Sequence, residues 1–339
     1  MGVVSSDIPL LIQAGLKTIF MEEVKAVPPS YEKICTVVPT TLETQNYGWL
    51  GSPPSIREFI DERVGKGIAE YGYSLKDKTW EATIAVDKRA IENDQYGQIM
   101  LRVRQLARSM ITGVNKRAWT ILREAGADPT SAGYLGGGYS PDTYNDSGVL
   151  TGTVRFASAA HVYRGNAEVP GSQSNLNGTA VMTSTLIWTG YSNMISLQDD
   201  RGEIMGDNAP TLLITAPAGA ETASQLLSGG MIVPAANTSF INTVPKLGLD
   251  LEICPYWASD GITSSGNHHN WMLANTSGIV KPLILQVFTP AANGELFEFS
   301  ALEGTSENGF MRDKYYYGIR GRWEIGYGNW QTISYAIVA

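Results

Sequence analysis

A chain of 339 residues can bury a large core and has the length of two or three domains. Its net charge of −8, with no dense cluster of Lys and Arg, excludes a dedicated nucleic-acid binder, which needs a basic surface. Its 36 glycines favour an architecture of many turns and strands. Cys35 and Cys254 stand far apart and read as buried free thiols in a reducing compartment, not as a disulfide framework or metal site. The N-terminus lacks a basic n-region, and LLIQAGLKTIF is interrupted by Gln13 and Lys17, so no signal peptide is expected. No run approaches the roughly 18 apolar residues of a transmembrane helix.

Residues 7 to 26 have the pattern of an amphipathic helix. Ile8, Leu11, Ile12, Leu16, Ile19, Phe20 and Val24 lie largely on one side, Asp7 is placed to cap it, and Pro28-Pro29 ends it. An extended stretch follows to residue 46. Standing ahead of any obvious core, this segment reads either as an arm or as a first core helix. Residues 47 to 88 make a hairpin-like excursion. Pro53-Pro54 breaks the chain, Ser55 and Glu58 form a capping-box pattern, and Trp80, Ala82, Ile84 and Val86 alternate with polar residues as a half-buried strand. That strand is expected to pair with the stretch around Tyr47. The tip carries Arg57, Asp61, Glu62, Arg63 and Lys66, a charge pattern that suits solvent or a neighbouring subunit equally well.

Asp94 to Gly126 is the dominant helix. Ile99, Val103, Leu106, Met110, Val114, Ile121 and Leu122 form one stripe, opposite Arg102, Gln105, Ser109, Thr112 and Lys116. Asn93 or Asp94 can cap its start, and Gly126 fits just past its end. At about 30 residues it would be roughly 45 Å long, so an equally long element must cover its stripe. The cover is Lys314 onwards, where Tyr315, Tyr317, Ile319, Trp323, Ile325 and Tyr327 alternate with Lys314, Tyr316, Arg320, Arg322 and Glu324. Between them, residues 127 to 180 are rich in Gly, Ser, Asn and Tyr and read as loop. Thr185 to Leu197 reads as a helix. TLLITAP at 211 to 217 reads as a buried strand followed by a helix through Leu227, so a compact mixed α/β unit is expected here. MIVP (231 to 234), LGLDLEICPYW (247 to 257), NWMLAN (270 to 275) and PLILQVF (282 to 288) read as further strands.

The chemistry-bearing motifs are missing. The three histidines, His161, His268 and His269, have no HExxH or CxxC context. No phosphate-binding loop, GxGxxG pattern or GxSxG elbow occurs. Asp199, Asp200 and Glu203 lack the EF-hand ligand pattern and read as a solvated loop. No reaction class, cofactor or metal is supported, and the chain is expected not to be an enzyme.

Two segments resemble the major head subunit of Mu-like tailed phages. The first is residues 47 to 88, with Tyr47-Gly48-Trp49-Leu50-Gly51, Gly72-Tyr73-Ser74 and Lys78-Thr79, running into the acidic helix start at Glu92 and Asp94. The second is MRDKYYYGIRGRWEIGYGNWQ, residues 311 to 331. The resemblance implies an α+β chain with the Hong Kong 97-type capsid fold. Its parts would be an N-terminal arm at 1–43 and an E-loop at 44–88. A peripheral domain would take 89–185, with the spine helix at 94–126, together with strands from 256–328. An axial domain would take 186–255 and 329–339. It further implies a structural shell protein of the virion, assembled in the bacterial host cytoplasm as hexamers and pentamers around double-stranded DNA, without specific DNA binding and without a membrane. Scaffolding and portal proteins would be partners, with decoration proteins left open. Some relatives carry an N-terminal scaffolding segment. Here the arm-like helix starts almost at Met1, which favours a separate scaffold. Lys66, Lys76 and Lys78 carry no mark of a reactive cross-linking lysine. An encapsulin-like nanocompartment, and an enzyme with an unrecognised site, are the competing readings.

Overall fold

The computed structural model describes residues 8–50, 70–87, 89, 96–126, 142–144, 150–153, 155–161, 172–199, 202–232, 240–258, 269–289, 296–302 and 314–338. Two sheets and one long helix frame these residues. The larger sheet holds β1 (Cys35–Thr40), β4 (Lys78–Asp87), β12 (Leu283–Phe288), β13 (Glu298–Leu302) and β14 (Lys314–Tyr327). Its organiser is β14, which runs for 14 residues. It pairs antiparallel with β4 from Lys314 to Trp323, with β13 from Tyr316 to Arg320, and with β12 from Trp323 to Tyr327. The period-two alternation of β14 becomes a buried row of Tyr317, Ile319, Trp323, Ile325 and Tyr327. Gly321 continues that row because a Cβ there would lie 2.7 Å from the Phe297 ring and 2.9 Å from the Leu296 carbonyl.

Helix α2 (Tyr96–Arg123) covers this sheet, contacting β4 and β14. Its buried stripe is Val103, Ala107, Ile111, Val114, Ala118, Ile121 and Leu122. At 28 residues it is about 42 Å long, close to the length of β14, so the two apolar surfaces can match end to end. A 3-10 turn, Glu124–Gly126, finishes it. Gly126 is required for space and not for its backbone angle: a Cβ would lie 2.1 Å from Cδ1 of Ile337.

The smaller sheet has the order β10 (Asp250–Ile253), β7 (Leu212–Thr215), β11 (Trp271–Ala274), β15 (Ile333–Ala336). β10 is parallel to β7, and β11 is antiparallel to both its neighbours. Every residue of β7, β11 and β15 is buried, as expected of short strands covered on both faces. Helices α3 (Ser184–Ser196) and α4 (Ala220–Ser228) pack beside it, and the Thr183 side chain caps α3 by accepting from the Leu186 amide. Three hairpins complete the described elements: β2 (Thr44–Leu50) with β3 (Glu70–Lys76), β5 (Asp142–Tyr144) with β6 (Leu150–Thr153), and β8 (Met231–Ile232) with β9 (Phe240–Ile241).

Several sequence expectations need correction. The strand at 78–87 does not pair with the Tyr47 stretch. Tyr47 lies opposite Tyr73, the neighbour that a closed hairpin provides, while β4 joins the larger sheet beside β14. Trp271–Ala274, expected among the strands of the 256–328 segment's domain, is a central strand of the smaller sheet. The N-terminal helix α1 (Ile8–Ala26) is no free arm: Leu16 and Phe20 are fully buried, Phe20 stacks on Phe299 at 5.5 Å, and Glu23 pairs with Arg108 of α2. The extended stretch after it supplies β1, parallel to β12. Asp199 is not a solvated loop residue. It is buried and its Oδ1 accepts from the Glu203 amide, closing a turn; Asp200 lies outside the described residues.

Candidate functional site: the hairpin and its root

The β2–β3 hairpin leaves the body of the subunit between β1 and β4, and its strands are in register from Thr44↔Lys76 to Leu50↔Glu70. The tip residues Arg57, Asp61, Glu62, Arg63 and Lys66, between these strands, lie outside the described residues. The root is described in detail. Leu75 is buried in the main core. The Asp77 amide donates to the Glu43 carbonyl at 3.0 Å, Glu43 pairs with Lys76 at 2.9 Å, and the Thr40 hydroxyl donates to Gln45 Oε1 at 3.3 Å. The Tyr47 hydroxyl donates to Gln286 Oε1 at 3.2 Å. Burial pushes that phenol up to about 12, so it stays protonated as the donor.

Two buried carboxylates fix the root to β14. Asp77 Oδ2 accepts from both Nε and Nη2 of Arg322 at 2.8 Å, and the Arg322 guanidinium lies 3.8 Å above the Phe288 ring. Glu324 is 1% exposed and receives Nε and Nη2 of Arg117 at 2.8 and 2.7 Å. The Lys78 ammonium stands 2.8 Å from Glu324 Oε2, a charge contact whose angles are not those of a hydrogen bond. Arg117 also lies 5.2 Å from the centre of the Trp80 ring, which stacks on Trp323 at 4.8 Å and donates to its carbonyl at 3.0 Å. The described buried side-chain atoms without a hydrogen bond are Asp77 Oδ1, Gln286 Nε2, Trp323 Nε1 and Glu324 Oε2, and all four belong to this root. Desolvated charges and orphan polar atoms make it the least fully satisfied part of the described structure.

Sequence reasoning missed this network. The alternation puts Glu324 and Arg322 among the outward residues, and no motif marks Arg117 or Asp77. The available signal was an acidic residue inside an aromatic strand, facing a helix with basic residues only. On the helix itself, Val103 and Val114 are buried, Leu106 and Met110 are partly buried at the rim of the stripe, and the side chain of Ile99 lies outside the described residues. Ala107, Ile111, Ala118 and Trp119 complete the stripe and were not picked out.

Elsewhere, His161 is buried, its ring stacked 3.9 Å from Trp330 and its Nε2 3.0 Å from Asn175 Oδ1. Burial pulls its pKa down to about 4, against the smaller opposing effects of Asn175 and the Phe156 backbone. Burial raises both thiols, Cys254 to about 12 and Cys35 further, so neither is a nucleophile at neutral pH. Among the described residues no cluster of His, Cys, Asp and Glu could hold a metal, and no helix is long and apolar enough to cross a membrane.

Residues 10–134 and 258–337 match the family of Mu-like prophage major head subunits, gpT. The chain belongs to this family. The matched segments contain the hairpin strands, α2, β11 to β15 and every root residue named above. The Mu-like prophage FluMu major head subunit of Haemophilus influenzae is 29% identical over 109 residues, 32% of this chain and 35% of that protein. The major capsid protein of Escherichia phage Mu is 26% identical over 110 residues, 32% of this chain and 36% of that one. The aligned segment thus spans about a third of the curated relatives it matches. Among solved structures, a chain of the bacteriophage JBD30 procapsid superposes with a TM-score of 0.54 at 19% identity, covering 99% of this chain and 77% of that one. A chain of the bacteriophage PhiM1 mature capsid gives 0.51 at 8% identity, covering 92% and 88%. The gpT family member therefore has the Hong Kong 97-type capsid fold, in an α+β arrangement.

Proposed function

We propose that this chain is the major capsid protein of a Mu-like phage, assembling as hexamers and pentamers into an icosahedral head shell around double-stranded DNA. The observation that carries this reading is the family match across both ends of the frame, from α1 through α2 and again from the larger sheet to β15. In this reading the β2–β3 hairpin is the E-loop, and its tip residues Arg57, Asp61, Glu62, Arg63 and Lys66 lie over a neighbouring subunit. The larger sheet with α2 is the peripheral domain, and the smaller sheet with α3 and α4 is the axial domain. The protein works in the virion, after assembly in the host cytoplasm with a scaffold and a portal. A net charge of −8 suits a wall that encloses DNA without gripping it.

Negative-stain electron microscopy of the purified full chain tests the reading. Closed particles of uniform diameter are expected, and protein that stays monomeric at high concentration, or forms only amorphous aggregate, overturns it. DNA-filled heads in producing cells distinguish the phage shell from an encapsulin-like compartment, which would be filled with protein cargo.

A further inference from the structure

The charge of this acidic chain is unevenly placed. Helix α2 carries six of its 25 basic residues and none of its 33 acidic ones. Arg117 and Arg123 are spent inside the subunit, on Glu324 and on the Tyr256 carbonyl beside Glu124. Arg108 is exposed and pairs with Glu23. That leaves Arg102, Arg104 and Lys116, all exposed, and none of the described residues pairs with them. Between them the exposed surface is Gln105, Ser109 and Thr112.

We propose that this outer face of α2 contacts the phosphate backbone of double-stranded nucleic acid, weakly and without reading sequence. The proposal rests on the shell reading above and adds the surface on which the wall meets its contents. The side-chain types are those that bind phosphates: guanidinium, ammonium, amide and hydroxyl. A protein partner would need an apolar or aromatic centre to dock on, and the described part of this face offers only Leu101, at 56% exposed. From Arg102 to Lys116 the helix rises roughly 20 Å, about six base pairs of duplex at 3.4 Å each. These three cations on that span engage about three phosphates, which gives weak, steeply salt-dependent binding. The net charge of −8 opposes a duplex overall, which keeps the contact weak.

The test is fluorescence anisotropy of the full chain with a duplex of about 30 base pairs. The logarithm of affinity should fall against the logarithm of salt with a slope of about −2.7, roughly a 40-fold loss between 50 and 200 mM. Arg102→Gln with Arg104→Gln and Lys116→Gln should bring that slope close to zero, and each single substitution should reduce it by about one. Lys246→Gln and Lys314→Gln, exposed on other elements, should leave it unchanged. Wild-type slope in the triple variant overturns the proposal. So does a variant that binds DNA normally but loses binding to polyglutamate or loses shell formation, because the face would then meet protein. Shell formation is scored separately by microscopy. Shells with no salt-dependent DNA contact sink only this inference, while the absence of shells sinks the shell reading.

Discussion

Glu324 shows how one side chain ties three elements together. Its carboxylate sits on β14, its strongest partner Arg117 on α2, and Lys78 at the start of β4. The desolvation cost of such a group is offset only while the partners stay in place. Arg117→Met should therefore destabilise the subunit by about 3 to 5 kcal/mol, read as a lower midpoint in urea. Adding Glu324→Gln should recover part of that loss, since the uncompensated charge is gone. A double variant no more stable than Arg117→Met alone would mean that packing, and not charge, sets the cost. The sequence did not disclose this residue because period-two alternation assumes that one strand face stays wet. Here the hairpin root covers the second face as well: Tyr47 donates to Gln286, which lies opposite Glu324 and is fully buried too. His161 gives a pH prediction. Its folded pKa of about 4 lies below the ordinary imidazole value of 6.5, so the unfolded chain takes up the proton first as pH falls. Its contribution is intact above pH 6.5, declines as pH drops through that value, and levels off below about 4. The span is worth about 3 kcal/mol. His161→Gln, which cannot titrate, should show a shallower loss of stability between those pH values. Parallel curves for the two proteins would remove His161 as a cause of acid sensitivity.

At the scale of elements, α2 and β14 were legible because each keeps one period long enough to outweigh local noise. Pairing was not legible. β4 and β14 are more than two hundred residues apart, and nothing local tells the Trp80 strand that its partner is Tyr315–Trp323 and not Tyr47. The role of α1 was also undetermined, because an apolar face looks the same whether its own subunit or a neighbour covers it. With Leu16 and Phe20 buried on α2 and β13, deleting residues 1–26 should prevent the subunit from folding, whereas deleting residues 1–7 should not. A soluble, cooperatively melting 1–26 deletion would return α1 to the status of an arm. The hairpin should behave in the opposite way. Leu50 lies directly across from Glu70, so an Asn-Gly turn in place of residues 51–69 closes the strands in their existing register. Every root contact from Glu43 to Glu324 survives that change, so melting temperature should stay within a few degrees. Assembly should fail, because an inter-subunit contact of even 1 to 2 kcal/mol is decisive when a closed shell repeats it on every copy. Normal closed particles from the shortened protein, seen by sedimentation, would show that residues 51–69 are not an assembly element.

The whole molecule turns on the last turns of α2. In the last turns of the helix, whose final four carbonyls lack intrahelical partners, aromatic side chains from both sheets supply donors. The Trp257 indole, just past β10, donates to the Trp119 carbonyl at 2.9 Å. The Tyr327 hydroxyl, at the end of β14, donates to the Ile121 carbonyl at 2.8 Å, and the Tyr335 hydroxyl of β15 donates to the Arg123 carbonyl at 2.8 Å. One donor comes from the larger sheet and two from the smaller sheet's side, so this helix end ties the two sheets together. Burial holds the Tyr335 phenol well above its ordinary range, which keeps it a donor at any pH the protein meets. Tyr327→Phe and Tyr335→Phe each leave the ring in place and remove one hydroxyl from a buried carbonyl, costing about 1 to 3 kcal/mol. Because both hydroxyls serve the same turn, the double variant should lose more than the sum of the singles, by about 0.5 kcal/mol or more. The larger consequence is geometric. A closed shell repeats the angle between the sheets in every subunit, so a joint that permits a spread of angles permits a spread of curvatures. The double variant should fold, melt a few degrees lower, and assemble into particles with a visibly wider range of diameters than wild type under the electron microscope. Diameters as uniform as wild type, despite the lowered melting temperature, would show that the neighbouring subunits and not this helix end determine the angle.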